Sequence, residues 1–188
     1  MEDYSGVKFR TVFLRKKPEH DPKNKELISW CRKLDEMNLC PCYENGNSGN
    51  LSFRKDKGFV ITPSCCFYKD INEKDLVHVI KADNKIRSVF VKGIRKPSSE
   101  AVLHLMIYKK RPEINAVFHG HSKKILKKED EFICTEEEKP YGTIELVDEV
   151  EKIIDKDNFL IMKNHGFISL GKTMKGAGER VLRILACM

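Results

Sequence analysis

Glutamine is absent from the 188 residues, tryptophan occurs once, and no apolar run is longer than a few residues. The last of these excludes a membrane-spanning helix, which needs about 20 consecutive apolar residues. The N-terminus MEDYSGVKFRTVFLRKKPEH carries charge at both ends and lacks an apolar stretch with a small-residue cleavage site. It does not read as a signal peptide, so a cytoplasmic location is expected. Paired C-x-x-C knuckles are missing as well. The seven cysteines, Cys31, Cys40, Cys42, Cys65, Cys66, Cys134 and Cys187, form an odd set that fits neither a disulfide framework nor a zinc ribbon. Abundant Lys and Glu without Gln is a bias of hyperthermophile proteins, which the many Asn and Cys residues oppose.

A single-signed charge pattern is also lacking. Lys and Arg total 35 against 28 Asp and Glu, a net charge of +7, but the lysines are scattered among acids, as in KKILKKEDEF and DEVEKIIDKD. With no aromatic-interleaved basic stripe, a nucleic-acid partner is not expected, and the modest excess suits a pocket for a phosphorylated metabolite. The length supports one well-buried core rather than two. Residues 1–25, Lys- and Pro-rich and aperiodic, are expected as an N-terminal arm, and 26–188 as one domain.

Within that domain Leu27, Trp30, Cys31 and Leu34 recur at helical spacing, and the helix should stop before Pro41. LSFR and FVIT around Lys55–Gly58 predict a hairpin, and VHVI with KIRSVFV around a turn at Ala82–Asn84 a second. Pro97-Ser98-Ser99-Glu100 opens a helix with serine as N-cap, Val102, Leu103, Met106 and Ile107 on one face, and Pro112 beyond its end. Ala116–His121 predicts a buried strand, Thr143–Asp155 a helix, FLIM and FISL strands joined by the turn Asn164-His165-Gly166, and Thr173 starts a last helix. Helices mixed with hairpins predict an α/β fold on a mixed, largely antiparallel sheet.

His119 and His121 stand two apart on the predicted strand, so both imidazoles can reach one ion. Backbone-satisfied buried histidines are the commoner outcome of that spacing. His165, at a turn, can deliver a third ligand, and Glu100, at a helix start, a fourth, although an acid there also complements the helix dipole. Three imidazoles and a carboxylate suit Zn²⁺, with Co²⁺ or Mn²⁺ as substitutes. Cys40-Pro41-Cys42 with Cys65-Cys66 is a competing soft-metal set of no common spacing. His20, His78 and His104 have no comparable partners and read as surface or core residues. Ser48–Ser52, Thr62–Ser64 and Ser98-Ser99 offer N–H and hydroxyl donors suited to an oxyanion, or are ordinary turns and caps.

GNLSFR with FVITPS, then PSSE, RPEINAVFHGHS, PYGT and LIMKNHGFISLGKT, over residues 26 to 187, resemble the class II aldolase and adducin superfamily, most closely its L-fuculose-1-phosphate aldolase branch. The resemblance implies a three-layer α/β/α fold and a homotetramer with sites between subunits. It implies Zn²⁺ on Glu100, His119, His121 and His165, and a phosphate pocket lined by Gly49, Asn50, Ser64, Ser98 and Ser99. The implied reaction is cleavage of a ketose 1-phosphate to dihydroxyacetone phosphate and an aldehyde, with Glu100 exchanging the C3 proton. Cys65 stands where the family has glycine. The segment Ser122–Lys139 is shorter than in the fuculose enzyme and lacks its acid/base tyrosine, which leaves water or Tyr141 as the expected substitute, with Glu129, Asp130 and Glu131 as carboxylate alternatives. Related epimerases carry Asp at the position of Glu100, and related dehydratases place a base in the segment that here reads Glu129-Asp130-Glu131. Adducin's non-catalytic domain lacks the histidine set.

Overall fold

The computed structural model describes residues 8–83 and 87–188. Its elements are β1 (Arg10–Arg15), α1 (Asn24–Glu36), β2 (Cys42–Tyr43), β3 (Gly46–Asn47), β4 (Asn50–Lys55), β5 (Gly58–Ile61), β6 (Val77–Asp83), β7 (Ser88–Lys92) and α2 (Ala101–Lys110). There follow β8 (Ala116–Gly120), α3 (Lys123–Leu126), β9 (Ile133–Cys134), α4 (Ile144–Glu151), β10 (Phe159–Met162), β11 (Gly166–Gly171) and α5 (Met174–Ala186). Among the described residues, nine strands form one sheet in the order β1-β7-β6-β5-β4-β8-β11-β10-β9. Its outermost pairs, β1–β7 and β9–β10, are parallel and the inner pairs antiparallel.

Strand alternation divides the interior into two cores. Leu51, Phe53, Phe118 and Phe167 turn toward α1 and α5. Val117, Ile168, Leu160 and Ile61 turn toward α2 and α4. The result is the expected α/β/α sandwich, and the face that receives α2 also receives the side chains of Asn50, Ser52 and His119.

Three expectations are corrected. Residues 1–7 of the expected arm lie outside the described residues, but Arg10–Arg15 is an edge strand, because its backbone finds a parallel ladder on β7. Glu100, not a serine, occupies the N-cap position of α2, while the Ser98 hydroxyl accepts from the Glu100 N–H two residues on (3.3 Å). The most buried face of α2 is also not the apolar one predicted: Val102 and Met106 are half-buried, whereas His104 and Tyr108 are buried beside Leu103 and Ile107. The turn expected at Ala82–Asn84 falls partly on residues 84–86, outside the described residues.

Candidate metal centre

His119 lies opposite Asn50 of β4 and Ile168 of β11. The chain leaves β8 at Gly120, and the His121 N–H donates to Leu39 O (2.8 Å), which holds the second imidazole at the same strand end. His165 arrives from the β10–β11 turn, where Asn164 adopts φ 56° and the His165 N–H donates to Met162 O (3.0 Å). Gly166 follows for want of space: a Cβ there would stand 2.4 Å from Gly120 O and 2.8 Å from His119 Cε1. Glu100, 4% exposed, enters from the start of α2.

These four side chains meet. Glu100 Oε2 is 3.1 Å from His119 Nε2, and Oε1 is 3.4 Å from His165 Nε2. His119 and His121 Nε2 are 3.0 Å apart. Among the described residues, His119, His121 and His165 are the one set of three or more His, Cys, Asp or Glu whose ligand atoms converge, all within 4.8 Å of one another. The cysteine alternative does not assemble in this way: Cys40 and Cys66 are buried, Cys42 and Cys65 exposed.

The donor set fits a divalent cation. Phe167 O can only accept, so His119 Nδ1 (2.8 Å away) carries the ring hydrogen and Nε2 presents a lone pair. That lone pair faces the carboxylate oxygen and a second imidazole nitrogen, an arrangement that requires a positive charge among them. Glu100 Oε1 is likewise buried without a hydrogen-bond donor. Where no metal is bound, a proton answers the need. Burial pushes the Glu100 carboxyl up, but His119, His165 and the Asn50 amide (2.7 Å) outweigh it and hold the group well below the usual carboxylate range. Burial lowers His119, but the Glu100 charge and hydrogen bond raise it overall. Burial, with His119 and His165, holds His121 well below the ordinary histidine value, as a neutral nitrogen donor.

The expected phosphate residues fall into two neighbouring groups. Gly49, at φ 81°, has no room for a side chain, since a Cβ would sit 2.5 Å from His119 O. Asn50 beside it gives its amide to Glu100 rather than to an open pocket. Ser64, Ser98 and Ser99 belong to two paired segments: Pro63 bridges Pro97, the Ser98 N–H donates to Thr62 O (3.1 Å), and the Ser64 N–H donates to Lys96 O (3.1 Å). Arg95, which sequence reasoning passed over, donates to Ser64 O (3.2 Å) and Cys65 O (2.9 Å) and adds positive charge to that corner.

Tyr141 lies in the turn that leads into α4. Gly142, at φ 66°, packs against Ser99, where a Cβ would stand 3.1 Å from the carbonyl oxygen. Lys8 Nζ stands 4.1 Å from the Tyr141 ring centroid. Residues 135–142 run from β9 to this point past the histidine turn. The Thr135 hydroxyl accepts from the Lys163 N–H (2.9 Å), and the Asn164 amide donates to Glu138 Oε2 (2.8 Å). Glu138 is thus a carboxylate at the site's edge that no sequence signal marked. Glu129, Asp130 and Glu131 precede β9, which runs parallel to β10. They lie at the Asp157 end of these strands, with Asp130 and Glu131 lining a cleft with Asp157 and Arg180, whereas His165 is at the other end. The structure does not bring them to the cluster. A second missed group is Ser52, His104 and Tyr108, legible in retrospect from Glu100, His104 and Tyr108 spaced by four on α2 and from Asn50 and Ser52 spaced by two on β4.

The chain is similar to known proteins in sequence and in fold. Residues 25–127 match the family described as the Class II Aldolase and Adducin N-terminal domain. An L-fuculose phosphate aldolase of Methanococcus vannielii is 34% identical over 169 residues, 81% of this chain and 86% of the relative. A 5-methylthioribulose-1-phosphate/5-deoxyribulose-1-phosphate aldolase of Escherichia coli is 32% identical, covering 82% and 78%. The solved structure of an L-fuculose 1-phosphate aldolase superposes with a TM-score of 0.74 at 26% identity, over 90% of this chain and 84% of that one.

Proposed function

The chain belongs to the class II aldolase and adducin family, and from that premise we propose that it is a zinc-dependent aldolase that cleaves a ketose 1-phosphate to dihydroxyacetone phosphate and an aldehyde. The observation that carries the reading is the convergence of Glu100, His119, His121 and His165 in a pocket of facing lone pairs. These four residues would hold the metal, about one Zn²⁺ per chain. Bound zinc would supply Lewis acidity for the negative charge that builds as the carbon–carbon bond breaks.

The chain's own groups handle position and protons. Ser64, Ser98 and Ser99, with the Gly49-Asn50 loop, receive the phosphate and set the substrate's C3 beside the cluster. As the C3–C4 bond breaks, its electron pair stays on C3 and the C4 hydroxyl proton must leave so that the aldehyde can form. Tyr141 relays that proton to water, and Glu100 passes a proton taken up from water on to C3, so one proton leaves the C4 hydroxyl and one arrives at C3. The relatives' substrates, fuculose phosphate and methylthioribulose 1-phosphate, differ in the aldehyde half. That half meets the segment 135–142 and, in the proposed homotetramer, a neighbouring subunit. Such an assembly would sit in the cytoplasm.

Metal analysis of the purified protein, X-ray absorption and a screen of ketose 1-phosphates for dihydroxyacetone phosphate release test this directly. Zinc in a nitrogen and oxygen shell, lost in His119→Ala and retained in Cys42→Ser, is expected. A sulfur-dominated shell sinks the metal assignment, equal turnover of unphosphorylated ketoses sinks the phosphate pocket, and a monomeric mass in light scattering sinks the tetramer.

A further inference from the structure

α2 buries polar side chains one turn apart, Glu100, His104 and Tyr108, and β4 faces them with Asn50 and Ser52. The two elements therefore meet in two polar rungs. In the upper one the Asn50 amide donates to Glu100. In the lower one the Ser52 hydroxyl lies 2.7 Å from His104 Nδ1 and 2.8 Å from the Tyr108 hydroxyl, all three side chains buried.

The hydrogens of the lower rung can be assigned by counting. If His104 Nδ1 donated to Ser52, the serine hydrogen would go to Tyr108, whose own hydrogen would then have no acceptor. If Tyr108 donates to Ser52, and Ser52 to His104 Nδ1, each hydroxyl hydrogen is used, and only His104 Nε2–H, buried without a partner, is left over. The second arrangement leaves fewer buried groups unmade and is the preferred one.

We propose that His104 is a positioning residue for Glu100: as the Nε2–H tautomer it accepts from Ser52, and this neutral Tyr108–Ser52–His104 brace sets α2 on β4 so that Glu100 meets His119 and His165. The inference rests on the reading of Glu100, His119, His121 and His165 as a metal site. The brace lies one helical turn below the carboxylate and two residues from Asn50 along the strand, so it fixes both elements that hold Glu100.

Two measurements test it. Nitrogen-15 chemical shifts of the His104 ring should report the Nε2–H tautomer, and the Nδ1–H tautomer would overturn the assignment. Zinc affinity by competition with a chromophoric chelator should fall about 10–100-fold in Ser52→Ala and in His104→Leu, the range for residues that orient metal ligands. His104→Asn, whose Oδ1 can accept from Ser52 in place of Nδ1, should recover most of it. The double variant Ser52→Ala/His104→Leu should be no worse than either single one, because both remove the same brace. Should His104→Leu fail to fold, Ser52→Ala, which deletes one oxygen, decides alone. Wild-type zinc binding with undiminished affinity in Ser52→Ala overturns this inference and leaves the metal reading standing. Failure of the wild type to bind zinc overturns both.

Discussion

Cys65 places a side chain on a backbone conformation that favours glycine. The position has φ 54°, a left-handed conformation that an L-residue adopts at a cost of about 1–2 kcal/mol, and the side chain is exposed. Glycine relieves that strain but gives back roughly 0.5–1 kcal/mol through the entropy of the unfolded chain. Cys65→Gly is therefore expected to raise stability by about 0.5 kcal/mol, and Cys65→Val, β-branched at positive φ, to lower it by about 1–2 kcal/mol. Denaturant midpoints of the two variants measure the difference; a Val variant as stable as the Gly variant would show that the turn carries no such strain. Neither substitution alters Ser64, Ser98 or Ser99, so affinity for inorganic phosphate should be unchanged in Cys65→Gly.

At the scale of elements, the segment 135–143 is where substrate choice should be read. It is pinned at three points: Thr135 to the Ile161–Lys163 backbone, Glu138 to Asn164, and Gly142 to Ser99. Thr143 closes it as the N-cap of α4, accepting from the Leu146 N–H (3.3 Å). Tyr141 on this segment is expected to exchange the C4 hydroxyl proton, so Tyr141→Phe should slow cleavage at least about tenfold while zinc stays bound. Unchanged turnover would remove Tyr141 from the reaction and turn attention to Glu138. Much of this architecture was legible beforehand, because it is written in local periodicity: the β4–β5 hairpin, β8, β10, β11, α1, α4 and α5 all follow from spacing and punctuation. The elements that escaped are those whose partners are distant or whose length carries no period. β1 is aperiodic in RTVFLR and exists through its ladder with β7, about 80 residues on. β9 has two residues, too few for alternation to show. On α2 the reading followed the apolar residues, whereas the helix also buries His104 and Tyr108, with Glu100 at its N-cap, beside Leu103 and Ile107. The clustered histidines were legible as H-x-H and as a turn, but the arrival of His165 beside the other two, with all three ring nitrogens within 4.8 Å, depends on the β8–β11 register, which no local pattern encodes.

For the molecule as a whole, the buried titratable groups set how folding responds to acid. His104 is fully buried, and desolvation lowers its pKa from 6.5 to about 3, against a smaller upward pull from Glu100. The unfolded chain thus takes up this proton first as pH falls. The contribution is complete above about pH 6.5 and is lost at about 1.4 kcal/mol per pH unit from there toward pH 3. His78, lowered mainly by burial and by Lys55, acts with the same sign. Glu100, held below its ordinary value of 4.5, adds stability that is present above that pH and lost beneath it. His119 opposes them where no metal is bound: its raised pKa contributes stability below pH 6.5 that disappears as pH rises through the folded value. Bound zinc would displace that proton, so His119 would cease to offset the others and acid sensitivity should be steeper in the metal-loaded protein than in the chelated one. His104→Asn removes one titrating group while keeping an acceptor for Ser52. In chelated protein, the loss of unfolding free energy between pH 6.5 and pH 5 should be smaller in this variant than in wild type by about 2 kcal/mol. Equal losses in the two proteins would mean that His104 takes up its proton in the folded state as readily as in the unfolded one, and that the lower rung of the α2–β4 contact is not a closed neutral network.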